Sequence, residues 1–198
     1  PAFDKADFER VKNQLIQSLD QGSKDSQTLA GRALKQVTYG ESSRIGLPSS
    51  GTINTVSAIQ LSDIKTFYKQ YFSLRHASLV IVGDVSKSDI LPKLGFLKSW
   101  QSKDYIIPDY DTFPEIAADK IYFVDLPGAS QSVIKYSRRA MVYDATGEHF
   151  RATLMNYPLG RAFNSRINLN LREDKGYTYG ASSYYSAGKT LGRFSAGA

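Results

Sequence analysis

Residues 159–183, LGRAFNSRINLNLREDKGYTYGASS, carry the densest pattern in the chain. Leu159, Phe163, Ile167 and Leu171 recur every four residues, the spacing of one apolar stripe along a helix. A mixed-charge run follows, with Arg172 in it, and Gly176 then opens a turn. Beyond the glycine, Tyr177, Tyr179, Tyr184 and Tyr185 stand among small residues, the composition of a half-buried strand broken by Gly180. A helix that ends near Arg172 and a strand through Tyr179 place an arginine and a phenol seven residues apart on either side of one turn.

Working outward, the other segments read as helices and short strands. Residues 4–20 set Phe8, Val11, Leu15 and Leu19 on one helical face, with Asp4 as cap. A second helix is expected over about 26–38, with Leu29, Leu34 and Val37 inward. Residues 39–56, YGESSRIGLPSSGTINTV, read as a long ordered loop. Ser62 caps a helix whose face is Ile64, Phe67, Tyr68 and Tyr71. ASLVIVGDV, 77–85, has the β-branched composition of a buried strand. Ser86 and Asp89 form a capping box for a helix that Pro92 shortens. A polar linker (101–120) leads to strands in IYFVDLP (121–127) and SQSVIKYSRR (130–139), then to a helix near 147–157. This order predicts an α+β fold, with helices packed on one face of a mostly antiparallel sheet. No short-period repeat is present.

The totals narrow the function. A chain of 198 residues, 41% hydrophobic and 22% charged, is globular and long enough to bury a core. No apolar run reaches the roughly 18 residues that span a bilayer. The absence of cysteine excludes disulfides and thiolate metal sites. Net charge is +6, but its cations are scattered among acids, which is a solvated surface rather than a nucleic-acid face. The chain opens on Pro1 and ends on GRFSAGA in strand-like sequence, so it reads as a piece of a longer protein.

Catalytic motifs are scarce. His76 and His149 are the two histidines, and neither belongs to HExxH or HxxEH. Each suits a solvent-facing or core-edge position, so no metal ligand is expected within the chain. GxSxG, P-loop and dinucleotide glycine patterns are also missing. From the residues alone, Arg172 suits a helix C-terminus through the macrodipole and the tyrosines suit strand packing.

Four stretches resemble, in order, the pitrilysin/insulinase (M16) family of zinc metallopeptidases: residues 39–72, 77–90 (ASLVIVGDVSKSDI), 124–134 (VDLPGASQSVI) and 159–183. In that family two halves close on each other. One supplies zinc on an HxxEH helix, and the other supplies an arginine and a tyrosine. The resemblance implies that residues 1–60 are the C-terminal helices and loop of an upstream domain. Residues 61–198 would be the next domain, an M16 metallopeptidase-like one truncated at its end. It matches Arg172 and Tyr179 to the family's pair as catalytic and substrate-binding residues, with Gly180 beside them in contact with substrate. A guanidinium suits a substrate carbonyl or carboxylate, and a phenol suits a developing oxyanion. The strand after them would offer edge hydrogen bonds to an extended peptide. Tyr177 is expected to pack, and Arg166 to serve structure.

Some positions depart from the family pattern. SSRIGLP (42–48) lacks the histidine and tyrosine of a His-Pro-Tyr-Gly-like segment, Arg161 replaces a glycine, and NQLIQSLDQ (13–21) offers no distal zinc carboxylate. These departures imply the non-zinc half of a metalloendopeptidase, inactive alone, with zinc bound outside the chain. Its partner would be the zinc-bearing half of the same chain or another subunit, and its substrate a peptide. The resemblance also implies a bacterial, periplasmic or otherwise exported protein. The alternative is a non-catalytic assembly homologue of the same fold.

Overall fold

The computed structural model describes residues 1–106, 113 and 120–198. Most of the expected 101–120 linker lies outside the described residues. The chain divides into two compact units, Pro1–Ile16 with Asn54–Asp109, and Gln17–Ile53 with Tyr110–Ala198.

The first unit is helical. α1 (Lys5–Gly22) starts where Asp4 Oδ1 accepts hydrogen bonds from Ala6 N (2.8 Å) and Asp7 N (3.0 Å), which satisfies donors the first turn leaves orphaned. Lys12 Nζ donates to the carbonyls of Ser57 and Ile59, both at 2.8 Å, at the end of α3 (Ile53–Ala58). α4 (Leu61–Tyr71) begins from a Gln60/Asp63 capping box, two residues before the expected Ser62. Its aromatic side chains pair with Phe3 (Tyr68, 5.3 Å) and Tyr105 (Tyr71, 5.4 Å). Phe67 and Ile64 nevertheless stay exposed, as does Val11 on α1. The periodicity marks these helices, but no described residue covers the full width of their apolar faces. Ser86 caps the short α5 (Lys87–Ile90), and tighter 3₁₀ turns carry the chain on through Pro92 to Ser99.

The expected strand at 77–85 does not form. No ladder partner lies beside it among the described residues, and Val80 and Val82 are 82% and 92% exposed. The strand at 121–127 fails in the same way, with Ile121 fully exposed and Phe123 at 88%. β-branched composition favours a pleated, half-buried surface, and a strand without a neighbour has none to join. His76, just before this segment, ends a single 3₁₀ turn, Leu74–His76.

The second unit holds the sheet. β1 (Lys135–Ala140), β2 (Ser182–Ala187) and β3 (Gly192–Gly197) lie antiparallel in the order β1-β3-β2. Tyr185 pairs with Phe194 across β2 and β3, and Arg138 with Phe194 across β1 and β3. Together with helices, this antiparallel sheet is the expected α+β class. α2 (Ser26–Tyr39), capped by Asp25 through Thr28 N, packs by β1. α6 (Glu148–Asn156) packs by β2. The predicted stripe at 159–171 is not one helix. A π-helical turn, Tyr157–Arg161, is followed by a break and by α7 (Arg166–Asn168), which runs into a second π turn, Leu169–Asp174. Pro158 and the open turn at residues 162–165 interrupt the ladder. Small polar residues dominate the buried set, among them Thr38, Asn156, Ser165 and Ser183.

Candidate functional site

The site grows from the chain reversal after α7. Gly176 takes φ +64°, a conformation that favours glycine. Three backbone bonds lock the turn: Lys175 N to Asn170 O (3.0 Å), Gly176 N to Arg172 O (3.2 Å) and Tyr177 N to Leu171 O (2.9 Å). The residues that follow are pinned from below. Asn168 Oδ1 accepts from Ala181 N at 3.0 Å, while its Nδ2 donates to Phe163 O at 2.7 Å. Asn156 Nδ2 donates to Ser183 O at 2.7 Å, and Ser183 Oγ donates to Asn156 Oδ1 at 2.6 Å. Asn156 and Ser183 are essentially buried. Gly160 lies against this pair, and an added Cβ there would stand 2.6 Å from Ser183 N.

Between these anchors the candidate residues stand as follows. Arg172 is in the second π turn, its Nε 3.2 Å from Glu173 Oε1 and its guanidinium 4.8 Å from the Phe163 ring centroid. A carboxylate and a ring face thus hold its orientation. Tyr179 is 89% exposed, and Tyr177, expected to pack, is 78% exposed. Between Tyr177 and Gly180, Thr178 Oγ1 makes two local bonds, to Gly180 O (3.0 Å) and from Gly180 N (3.2 Å). Gly180 borders a cavity on the sheet, with Asn168 Oδ1 the nearest atom to a hypothetical Cβ, at 4.0 Å. Two backbone groups of this segment, Ala181 N and Ser183 O, are already engaged by Asn168 and Asn156.

A zinc centre needs three or four protein donors held together. No such group of His, Asp or Glu occurs among the described residues. His149 stacks on Tyr143 at 5.4 Å, and its buried Nε2 has no hydrogen-bond partner. The described residues therefore do not fit zinc. Among them, no helix is long and apolar enough to cross a membrane.

Sequence reasoning missed Asn156, Asn168 and Ser183, which look like ordinary polar positions until the helices meet the strand. It also missed the polar sheet face built by Lys135, Ser137, Arg193 and Ser195. The signal for that face was the alternation in KYSRR and GRFSAG, with polar residues where a core strand would carry aliphatic ones.

Residues 58–198 match a family model described as the peptidase M16 inactive domain. A Helicobacter pylori (strain ATCC 700392 / 26695) protein named non-peptidase homolog YmxG is 25% identical over 181 residues, which cover 90% of this chain and 41% of that protein. An uncharacterized zinc protease YmxG of Bacillus subtilis (strain 168) is 20% identical over 185 residues, 93% of this chain and 44% of the relative. The chain thus spans less than half the length of these curated relatives. Among solved structures, a peptidase M16 inactive domain from Pseudomonas fluorescens superposes with a TM-score of 0.81 at 23% identity, over 100% of this chain and 47% of that one. A protease from Helicobacter pylori matches with a TM-score of 0.81 at 16% identity, over 98% of this chain and 48% of that one. These likenesses support the α+β fold. Matched from residue 58 to residue 198 by the family's own model, the chain belongs to the family of M16 peptidase inactive domains.

Proposed function

We propose that the chain is the substrate-binding, non-zinc half of an M16-like metalloendopeptidase, inactive alone. Arg172 and Tyr179 contribute to peptide hydrolysis, and Gly180 lets the substrate backbone approach. The observation that carries this reading is the setting of Tyr179. Its phenol is 89% exposed, yet it lies two residues from Ala181, which Asn168 fixes to the helices. An exposed donor on an anchored segment is pre-positioned for a developing negative charge. Arg172, held by Glu173 and Phe163, presents a cation across the same turn. The zinc and the nucleophilic water of the reaction belong to the other half, a separate domain or subunit. An exported, periplasmic location is part of this reading, and the two YmxG relatives are bacterial.

A second reading has its own support, since the Helicobacter pylori relative is named a non-peptidase homolog. In that case the chain serves assembly alone. One experiment separates the two: hydrolysis of a mixed peptide library by the intact protein, with and without a zinc chelator, in wild type and Tyr179→Phe. The proposal expects chelator-sensitive activity that falls at least about tenfold in the variant, because one oxyanion donor is worth about 10²–10³ in kcat. Activity indifferent to the substitution removes Tyr179 from the chemistry. No chelator-sensitive activity on any peptide favours the assembly reading.

A further inference from the structure

The sheet of the second unit carries a feature outside the Arg172–Tyr179 turn. Alternate residues of a strand share a face, so Lys135 and Ser137 of β1 stand with Arg193 and Ser195 of β3, Ser137 directly opposite Ser195. A cavity of about 320 Å³ opens on this face, walled by Gln27 and Gly31 of α2 and by Lys135, Gly180, Arg193 and Ser195. All of these residues belong to the one unit. None of the lining side chains is acidic.

Two independent observations make this cavity a prepared site. The first is unmet hydrogen-bonding capacity. Ser195 Oγ and Arg193 Nε, both on residues that line the cavity, are buried with no partner among the described residues, and Ser195 is only 4% exposed. Buried donors left unsatisfied cost stability, so two on the cavity wall mark a place where something else supplies acceptors. The second is space kept open. Gly31 sits in the interior of α2, where glycine weakens a helix relative to alanine, yet no atom lies within 4 Å of where its Cβ would be. Gly180 is almost as free. Neither glycine avoids a clash, and both leave room.

We infer that this cavity is a carboxylate-binding subsite for a peptide, taking an acidic side chain or a C-terminal carboxylate. A carboxylate is acceptor-only, and it matches the Arg193 cation and the Ser195 hydroxyl on the cavity wall, with the Lys135 cation farther along the same face. Gly180 is shared between the cavity and the Tyr179 segment, so a peptide passing Tyr179 can lower its carboxylate into the cavity. This path rests on the peptide-binding reading above. The carboxylate site itself is tested by binding rather than by hydrolysis.

The test titrates the intact protein by calorimetry with three peptides of equal length. One has internal glutamates and an amidated end, one is neutral with a free C-terminus, and one is neutral and amidated. Inorganic phosphate is titrated separately. A carboxylate-bearing peptide binds, with affinity that falls as salt rises, and the neutral amidated peptide does not. Which of the first two binds identifies the source of the carboxylate. Arg193→Met weakens binding at least about tenfold, as loss of a charge-assisted pair requires. Gly31→Leu guards against misfolding as an explanation, because it extends into open space, keeps the urea midpoint and abolishes binding. Ser195→Ala weakens binding without lowering stability. Equal binding of all three peptides, no binding of any, a response to phosphate alone, or an unchanged Kd in Gly31→Leu overturns the inference. Should any of these occur while hydrolysis still depends on Tyr179, the subsite alone is lost. Carboxylate binding without Tyr179-dependent hydrolysis instead removes the catalytic role and leaves the subsite.

Discussion

Replacing Asn156 with leucine attacks the joint between α6 and β2 at its centre. The side chain is 2% exposed and exchanges two short bonds with Ser183, at 2.7 Å and 2.6 Å. Leucine has similar bulk, so the cavity contribution is small and hydrogen bonding dominates. Two lost bonds at about 1 kcal/mol each, plus the stranded Ser183 carbonyl and hydroxyl at about 1 kcal/mol or more together, put Asn156→Leu at about 3–5 kcal/mol. That is a large share of the roughly 5–15 kcal/mol that holds a domain folded. Asn156→Leu with Ser183→Ala removes one stranded group, so the double variant falls short of the summed singles by about 1–2 kcal/mol. Urea unfolding followed by far-UV circular dichroism measures the cycle, with amide exchange of β2 and β3 as the local readout. A single-variant cost below about 1 kcal/mol, or a cycle that sums to zero, would show that the pair is incidental to the joint.

Gly160→Ala is expected to unfold or loosen the same joint, because its Cβ would meet Ser183 Oγ and stand 2.6 Å from Ser183 N. A loss of about 2 kcal/mol or more in a urea titration fits such overpacking against backbone, and a neutral result would refute the contact. Acid sensitivity is expected at the start of α6. Asp144 Oδ1 accepts from Thr146 N (3.0 Å) and Gly147 N (2.7 Å), and these bonds hold its carboxyl below the ordinary 3.8. The folded pKa being the lower one, this contribution is present above 3.8 and is lost as pH falls below 3.8 through the folded value. Asp144→Asn therefore flattens the acid limb of the stability profile, measured as thermal midpoint against pH, and an unchanged limb counts against the cap.

What could be read from the chain followed from how local each signal is. α1, α2 and α4 were legible because an apolar period repeats within a turn or two, and Asp4 was legible as the cap of α1. β1 was legible through SQSVIKYSRR, and the strand after Gly180 through its tyrosines and small residues. Residues 77–85 and 121–127 carry strand composition, but pairing depends on a neighbour that composition does not encode. The 159–171 stripe had the right period and hid an interruption, the turn before Arg166. Arg172, Tyr179 and Gly180 could be singled out because a family pattern marks them. The cavity could not, because its walls on α2, β1 and β3 come together only in the folded sheet.

The apolar runs at 79–82 and 121–124, without a ladder partner among the described residues, also govern how the chain behaves as a colloid. An unpaired, apolar, extended segment is a template for another copy of itself. At low ionic strength the net charge of +6 keeps copies apart. Salt shortens the Debye length to about 10 Å at 0.1 M and removes that protection. The ionic strength that screens the cations of the sheet face therefore also releases sticking between molecules, so dilute, low-salt buffers are where the chain stays dispersed.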